Sequence, residues 1–469
     1  MMRRTKIVCT IGPASDTEEM IAKLVAAGMN VARLNFSHGT TEYQRELVRK
    51  VKRVRKALNK PVAILQDLQG PKIRIGIVQN GFAQLQPGQE FILTADEVSG
   101  DSRRVSVSLK AMPQEVKVGH PILLADGNIE LRVERVAPPD IYCRVIVGGL
   151  LSSHKGINLP ASEVQVDSLT PKDRQDILVG LEEGVDAIAL SFVRKATDIL
   201  ACRKVISDHG GNIPIIAKIE KHEAVDNIDS IVAASQAVMV ARGDLGVEID
   251  LEKVPLVQKT IINKCNALGK PVITATQMLQ RMVDNPRPTR AEATDVANAI
   301  LDGTDAVMLS EETAAGKYPS EAVIMMDRIA RAAESALDEL KFENIPIEAG
   351  TSDAISRASY FIAKEIAAAA IITPTWSGST ACLVSRFRPK QPILATTPNE
   401  AALDFLSLCW GVVPISIPPS DSLDDVIRFS IDSARRAGYI ESGQQVIITG
   451  GAPLGVAGKT NFIKVERVN

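Results

Sequence analysis

The sequence predicts an α/β fold with three parts. They are a (β/α)8 TIM barrel, a small β-barrel domain inserted into it, and a C-terminal open α/β domain. Three observations predict it. Eight short apolar runs recur along the first two thirds of the chain, most of them followed by a segment of helical period. After the third run the helical period vanishes until about Thr170. After about Leu337 strand-like and helix-like segments alternate again.

The eight runs are Lys6–Ile11, Asn30–Asn35, Pro61–Asp67, Asp186–Phe192, Pro214–Ile219, Ala237–Ala241, Pro271–Ala275 and Asp305–Leu309. Segments such as Glu18–Ala27, Lys172–Glu183, Glu223–Ala234, Lys253–Ala267 and Ala291–Leu301 lie between them and often end near a glycine, as helices do. Strands alternating with helices imply a parallel sheet covered by helices. Eight near-continuously apolar strands point to closure, with an open doubly wound sheet as the alternative.

The interruption follows Asp67-Leu68-Gln69-Gly70-Pro71. It carries β-type runs at Arg104–Leu109, Pro121–Leu124 and Ile141–Val147, separated by turn signals such as Ala125-Asp126-Gly127-Asn128 and Gly148-Gly149. An insertion at that point hangs over the face where barrels keep their active sites, so it is expected to act as a lid. The C-terminal part reads as a helix at Asp353–Ala369, a strand ending at Thr373, and strands at Pro392–Thr396, Val412–Ile417, Gln445–Thr449 and Phe462–Val468. The expected domains are 1–70 with 168–336 for the barrel, 71–167 for the lid, and 337–469 for the C-terminal domain.

Apolar residues make up 45% of the 469, charged residues 23%, and the net charge is −2. This gives no global attraction to nucleic acid or membrane, and neither is expected as a partner. The run Arg45–Lys60 is locally basic, but Leu47, Val48, Val51, Val54 and Leu58 fall at helical spacing through it. It reads as an amphipathic helix with a solvated cationic face. Cys9, Cys143, Cys202, Cys265, Cys382 and Cys409 are scattered without metal-like spacing, which suits a reducing compartment. The basic start lacks a long apolar core, and no stretch has transmembrane length. A cytoplasmic location is expected.

Chemistry gathers at the carboxyl ends of the apolar runs. Arg33, Asn35, Ser37 and His38 follow the second, Asp67 ends the third, and Lys218 and Glu220 end the fifth. Arg242-Gly243-Asp244 follows the sixth, Thr276 the seventh, and Ser310-Glu311-Glu312 the eighth. In a barrel these positions converge on one pocket. Lys218 and Glu220, two apart, point to the same side of a strand. Glu220 and Asp244, from adjacent strands, make an oxygen half-site for Mg²⁺ or Mn²⁺, which would complete its shell with water and substrate oxygens. A lysine beside that ion suits neutralisation of a transferring phosphoryl group, and Arg33 adds a planar fork for phosphate or carboxylate. No strand-following dinucleotide or P-loop motif occurs, and Ser191 and Ser310 have no adjacent histidine for a hydrolase triad.

Several long motifs resemble pyruvate kinases. They include Cys9-Thr10-Ile11-Gly12-Pro13-Ala14-Ser15, Arg33-Leu34-Asn35-Phe36-Ser37-His38-Gly39 and Ala217-Lys218-Ile219-Glu220. Ala241-Arg242-Gly243-Asp244-Leu245-Gly246, Ala275-Thr276-Gln277-Met278-Leu279 and the run from Asn285 to Asn298 add to them, and the resemblance covers nearly the whole chain. It implies phosphoryl transfer from phosphoenolpyruvate to ADP, giving pyruvate and ATP, by a homotetramer. It implies that Glu220 and Asp244 hold the metal, that Lys218 stabilises the phosphoryl group and the enolate, and that Arg33 binds the substrate phosphate. Thr276 would help a water protonate the enolate carbon. Asn35, Ser37, Asp67, Gly243 and Ser310 would shape the substrate site. Arg74 and Lys172 would face the nucleotide phosphates, and Pro13, His38 and Tyr43 would line the ADP side.

Two departures stand out. Where many relatives read Asp-Thr-Lys-Gly-Pro-Glu and bind K⁺, this chain has Leu68 for the Thr and Lys72 for the Glu. The ammonium of Lys72 is expected to replace the ion, making K⁺ unnecessary. Glu311 stands where many members have Gly, and the resemblance gives it no role. In the C-terminal domain, Thr375-Trp376-Ser377-Gly378-Ser379-Thr380 resembles the family's effector-phosphate loop, and Gly450–Thr460, with Lys459 and Thr460, resembles the loop that closes over the effector. No second basic and aromatic pair is found there, so a sugar monophosphate or AMP is the expected effector. A metal-dependent pyruvate aldolase would share the Glu–Asp pair without needing the lid, Arg74 or Lys172. A non-catalytic sugar-phosphate sensor would be expected to have lost Lys218 or a metal ligand.

Overall fold

The computed structural model describes residues 2–162, 166–337, 339–346, 350–456 and 458–469. Eight parallel strands, Lys6–Ile11, Val31–Asn35, Ala63–Asp67, Ala187–Leu190, Ile215–Ile219, Ala237–Ala241, Val272–Ala275 and Ala306–Leu309, lie on the eight apolar runs. Each pairs with the next and the eighth pairs with the first, so the barrel is closed. Successive strand residues face opposite sides. Val8, Val31, Leu65, Ala189, Ile216, Met239, Ile273 and Met308 fill the interior. Their neighbours, including Ile7, Ile64, Ile188 and Val307, lie under the surrounding helices. This alternation fixes what reaches the mouth, because two residues past each interior side chain comes another that points inward.

Helix ends hold this register. Thr170 and Thr289 form reciprocal caps with Asp173 and Glu292, and Gly184 and Gly303 close the same helices in left-handed conformations at φ 66° and 105°. The expected helix Glu223–Ala234 is broken in two, His222–Asp226 and Ile228–Ala234. Asn227 sits at the break, and its side-chain amide donates to the carbonyls of Arg194 (3.1 Å) and Glu223 (2.9 Å). That local bonding competes with helix continuation.

The insertion forms a six-stranded sheet in the order Ile157–Asn158, Pro121–Leu124, Ile129–Ala137, Asp140–Val147, Glu90–Thr94, Arg104–Ser106. A ribbon of Phe82–Leu85 and Gly149–Ser152 shares its core, which includes Leu85, Phe91, Leu131, Ile141 and Leu151. Asn158 anchors the sheet to the barrel, donating 2.8 Å to the buried Glu248, whose other oxygen pairs with Lys221 at 2.8 Å.

The C-terminal sheet runs Val412–Ser416, Ile393–Thr397, Ala370–Pro374, Gln445–Gly450, Phe462–Arg467, with only the last strand antiparallel. The domain closes the amino end of the barrel, where Phe405 and Leu408 join the interior cluster. Arg388 is 6% exposed, donates to Asp305 (3.0 Å), Asn266 and Gly303, and lies over the rings of Phe342 and Trp410. The basic helix Thr41–Leu58 pairs its arginines with carboxylates of the same chain: Arg45 and Arg49 with Glu183, Arg53 with Glu18 and Glu46, and Arg55 with Asp186 and Asp404. Among the described residues, no helix is long and apolar enough to cross a membrane.

Candidate active site

Inward alternation carries Thr10, Arg33, Asn35, Asp67, Ser191, Lys218, Glu220 and Ser310 to the carboxyl mouth of the barrel, on from the interior residues of their strands. Lys218 is the hub. Its ammonium is 2.9 Å from Glu220, 3.1 Å from Asp67 and donates to the Ser191 hydroxyl at 2.6 Å. Asp67 also accepts from Arg33 at 2.6 Å, and Arg33 donates to Thr10 at 2.9 Å. Asp67, Lys218 and Glu220 are all buried. A buried charge persists only where partners offset the lost hydration. Burial acts to raise the Asp67 carboxyl, but Lys218 and Arg33 hold it below the ordinary carboxylate range. Burial acts to lower the Lys218 ammonium, and Asp67 with Glu220 more than reverses it, so the lysine stays charged. Glu220 is pushed up by burial and by Asp244, against the opposing pull of Lys218.

Glu220 uses its second oxygen to accept the Phe192 N–H at 2.7 Å. Asp244, in the helix Arg242–Glu248 after the sixth strand, is partly open and has Lys72 at 3.5 Å. These are hard oxygen donors just past the ends of neighbouring strands, with ammonium groups drawn to them. Among the described residues no group of three or more His, Cys, Asp or Glu is gathered for a metal. A two-carboxylate half-site suits Mg²⁺ or Mn²⁺, which retain water and substrate oxygens, better than an ion caged by protein.

Local backbone shape sets the rim. Thr276 has φ 70°, Gln277 φ 55° and Phe192 φ 54°, conformations that cost a β-branched or bulky residue free energy. Arg242 holds the Thr276 turn, donating to the carbonyls of Ala275 (3.2 Å) and Thr276 (2.9 Å) while paired with Asp295 at 2.7 Å. The Thr276 hydroxyl accepts from the Gly243 N–H at 2.7 Å and donates to the Ala275 carbonyl at 2.6 Å. Asn35 accepts from the Ser37 N–H, and the Ser310 N–H donates to Glu312. Gly70 (φ 68°) turns the chain out of the third strand, and a Cβ there would lie 2.7 Å from the Phe192 ring. Two residues on, Lys72 points back, its ammonium between Asp244 and, at 4.0 Å, Asp126 of the insertion. The Leu68 side chain is buried in the core, away from this charge cluster. Glu311 accepts from the Gln280 side chain at 2.8 Å.

The residues expected on the nucleotide side are more dispersed. Lys172 donates to the Phe36 carbonyl at 2.7 Å and pairs with Asp176, which ties it to the loop after the second strand. Tyr43 donates to Asp16 at 3.0 Å, and Pro13 and His38 are exposed on the same side. Arg74 lies at the start of the insertion and donates to the His154 carbonyl at 3.0 Å, without an ion pair to the Lys218 cluster. Sequence reasoning gave no site role to Thr10 or Phe192 and weighed Ser191 only as a hydrolase nucleophile. The ends of the fourth and first strands carry no charge there, yet their position past a buried run was the available signal.

Far from the barrel mouth, Thr375, Ser377, Ser379, Thr380 and Lys459 line a cavity of 370 Å³ with Trp376, Pro418 and Leu454. Gly378 (φ 88°) makes the turn, its N–H donating to Thr375. Thr460 is buried and shares a 2.7 Å hydrogen bond with Thr380. Ala457 of the second loop is outside the described residues.

Comparison with known proteins agrees with this geometry. The family model for the pyruvate kinase barrel domain matches residues 2–323, and that for the pyruvate kinase alpha/beta domain matches 353–466. The chain is 48% identical to a pyruvate kinase of Clostridium acetobutylicum over the full length of both. It is 48% identical to one of Geobacillus stearothermophilus and 47% identical to one of Staphylococcus aureus strain MRSA252, in each case covering all of this chain and 81% of the relative. The chain belongs to the pyruvate kinase family.

Proposed function

We propose that this enzyme transfers the phosphoryl group of phosphoenolpyruvate to ADP, giving pyruvate and ATP, at the Lys218 cluster. The single observation that carries the reading is the buried ammonium of Lys218 at the barrel mouth, held by Asp67, Glu220 and Ser191 beside Arg33. Such a charge, fixed before the substrate arrives, stabilises negative charge that develops during transfer without reorganising. Arg33 takes the substrate phosphate through its planar fork, with Asn35, Ser37 and Ser310 shaping the pocket. Lys218 neutralises the moving phosphoryl group and then the enolate. Glu220 and Asp244 would hold Mg²⁺ or Mn²⁺, which would supply neutralisation of the negative charge on the substrate. Gly243 fixes the Thr276 hydroxyl, which orients the water that protonates the enolate carbon. Pro13, His38, Tyr43, Arg74 and Lys172 form the nucleotide side, the last two closing on the phosphates when the lid moves.

Lys72 replaces K⁺ in this reading, and its position at 3.5 Å from Asp244 supports it. Leu68 acts only by withholding a hydroxyl. The C-terminal cavity takes a sugar monophosphate or AMP, with the phosphate on Thr375, Ser377, Ser379, Thr380 and Lys459. Lys459 is the one cation among the described residues that line it, which supports a single phosphate. The enzyme acts as a cytoplasmic homotetramer.

Pyruvate formation from phosphoenolpyruvate and ADP with Mg²⁺ tests the reaction, and no product with or without K⁺ would overturn it. Strong activation by K⁺ would overturn the role of Lys72 alone. Ribose 5-phosphate, glucose 6-phosphate or AMP should sharpen the phosphoenolpyruvate response. A flat response to all three would refute the effector site. Light scattering of the purified enzyme checks the tetramer.

A further inference from the structure

Two thiols that the barrel chemistry does not use stand together in the C-terminal domain. Cys382 lies on the helix Ser379–Ser385, and Cys409 lies just before the strand Val412–Ser416. Their sulfurs are 2.9 Å apart. Cys409 is buried, while Cys382 is only half-buried. Cys9, Cys143, Cys202 and Cys265 are each fully buried, and burial pushes their thiols up.

Both paired cysteines line a cavity of about 10 Å³ between the C-terminal domain and the barrel, together with Lys270, Arg386, Arg388 and Asp305. That is about the space of one water molecule, too small for a peroxide, so a reagent reaches the pair from the open side of the half-buried Cys382. The charge around it is mainly positive. Arg388 pairs with Asp305 and Arg386 with Asp353, but Lys270 donates to the carbonyls of Val232, Ala233 and Ser235 and has no carboxylate partner among the described residues. Thiol oxidation runs through the negative sulfur. Contact with Cys382 and then burial hold the Cys409 thiol well above its ordinary value, so it keeps its proton until its partner has reacted.

We propose that Cys382 and Cys409 form a modification site, a dithiol that hydrogen peroxide converts reversibly to an intramolecular disulfide. The Cys382 sulfur attacks one peroxide oxygen and the O–O bond breaks. Cys382 becomes a sulfenic acid, and the departing oxygen leaves as water with the thiol proton. The Cys409 sulfur then attacks the Cys382 sulfur, the S–O bond breaks, and its proton leaves with the second water. Two thiols and one peroxide give one disulfide and two waters, with two electrons passing from sulfur to oxygen. Two equivalents of a small thiol reverse it by exchange, as expected of a transient bond in a reducing compartment. The bond ties the helix that follows the Thr375–Thr380 loop to the segment whose Trp410 N–H donates to Asp305 of the barrel at 3.2 Å.

The test uses the native full chain. It is exposed to a small excess of hydrogen peroxide, blocked with N-ethylmaleimide, digested without reduction and analysed by mass spectrometry. The expected product has two fewer blocked thiols and one peptide pair joining Cys382 to Cys409, and dithiothreitol undoes both. Cys409→Ser should stop at a sulfenic acid on Cys382 that dimedone captures, and Cys382→Ser should leave Cys409 unmodified. Unchanged labelling, sulfinic acid on Cys382 without the linked pair, pairing with another cysteine, or linkage formed only in urea would each overturn the proposal.

Discussion

Arg33, Asp67, Lys218 and Glu220 form a closed set of two cations and two anions, and removing one strands its partners in a buried site. Lys218→Met should leave the substrates bound but lower kcat by about 10²–10³-fold, the usual scale for losing one preorganised charge at a transition state. A loss confined to KM, measured by steady-state kinetics, would remove Lys218 from the chemical step. Lys72 is a different case because it is half-open, between Asp244 at 3.5 Å and Asp126 at 4.0 Å. Lys72→Glu puts a carboxylate against Asp244 and creates a demand for a monovalent cation. The variant should lose activity without K⁺ and regain about tenfold or more with it, a change of ~1.4 kcal/mol or more. Equal activity of that variant in Na⁺ and K⁺ would show that Lys72 supplies no such charge. The strand-end charges were legible because each followed an apolar run. Ser191 was not, since an uncharged serine next to Phe192 gives no chemical signal until Lys218 is seen to donate to it at 2.6 Å.

The barrel strands were readable because both faces of each are buried, so hydrophobicity marks the whole element. The break at Asn227 was not readable from period alone, since the apolar spacing continues across it while the side chain bonds elsewhere. The pairing order of the insertion was also hidden. Ile157–Asn158 joins Pro121–Leu124, far from it in the chain, and no local pattern states such a choice. That last strand is where the insertion is tied to the barrel. Asn158 donates to Glu248 at 2.8 Å, and Lys221 holds the same carboxylate at 2.8 Å. A hydrogen bond to a charged group contributes about 1.5–3 kcal/mol. Asn158→Ala should therefore free the insertion to open more often, with little effect on the core of the barrel. Hydrogen–deuterium exchange should rise several-fold in the sheet amides near 121–124 and 157–158 and stay unchanged in the barrel strands. Uniform exchange across both would mean that this bond does not hold the insertion in place.

The C-terminal domain plugs the amino end of the barrel with Phe405 and Leu408, and beside that plug Arg55 is shared by two carboxylates. Asp186 of the barrel lies 2.7 Å from it and Asp404 of the C-terminal domain 3.1 Å. One guanidinium does not fully offset two buried charges, with Glu400 adding repulsion and Lys52 some relief. Burial first, and then Asp186, push the Asp404 carboxyl up to about 7. The sign follows from proton binding. Between the unfolded value near 4 and the folded value near 7, the docked state binds more protons than the unfolded chain, so stability falls as pH rises through that window. The stabilisation is complete below about pH 4 and lost above about pH 7, a span of ~2–4 kcal/mol for this group. Asp404→Asn keeps an acceptor for Arg55 and removes the second charge. It should raise the thermal midpoint at pH 8 relative to the parent chain and flatten the slope between pH 5 and pH 8. A parallel pair of pH profiles would place the titration elsewhere. Because the same plug fills the barrel interior, undocking above pH 7 would also loosen the strands whose far ends carry Lys218 and Glu220. The parent chain should therefore lose midpoint and activity together as pH rises, whereas Asp404→Asn should hold both.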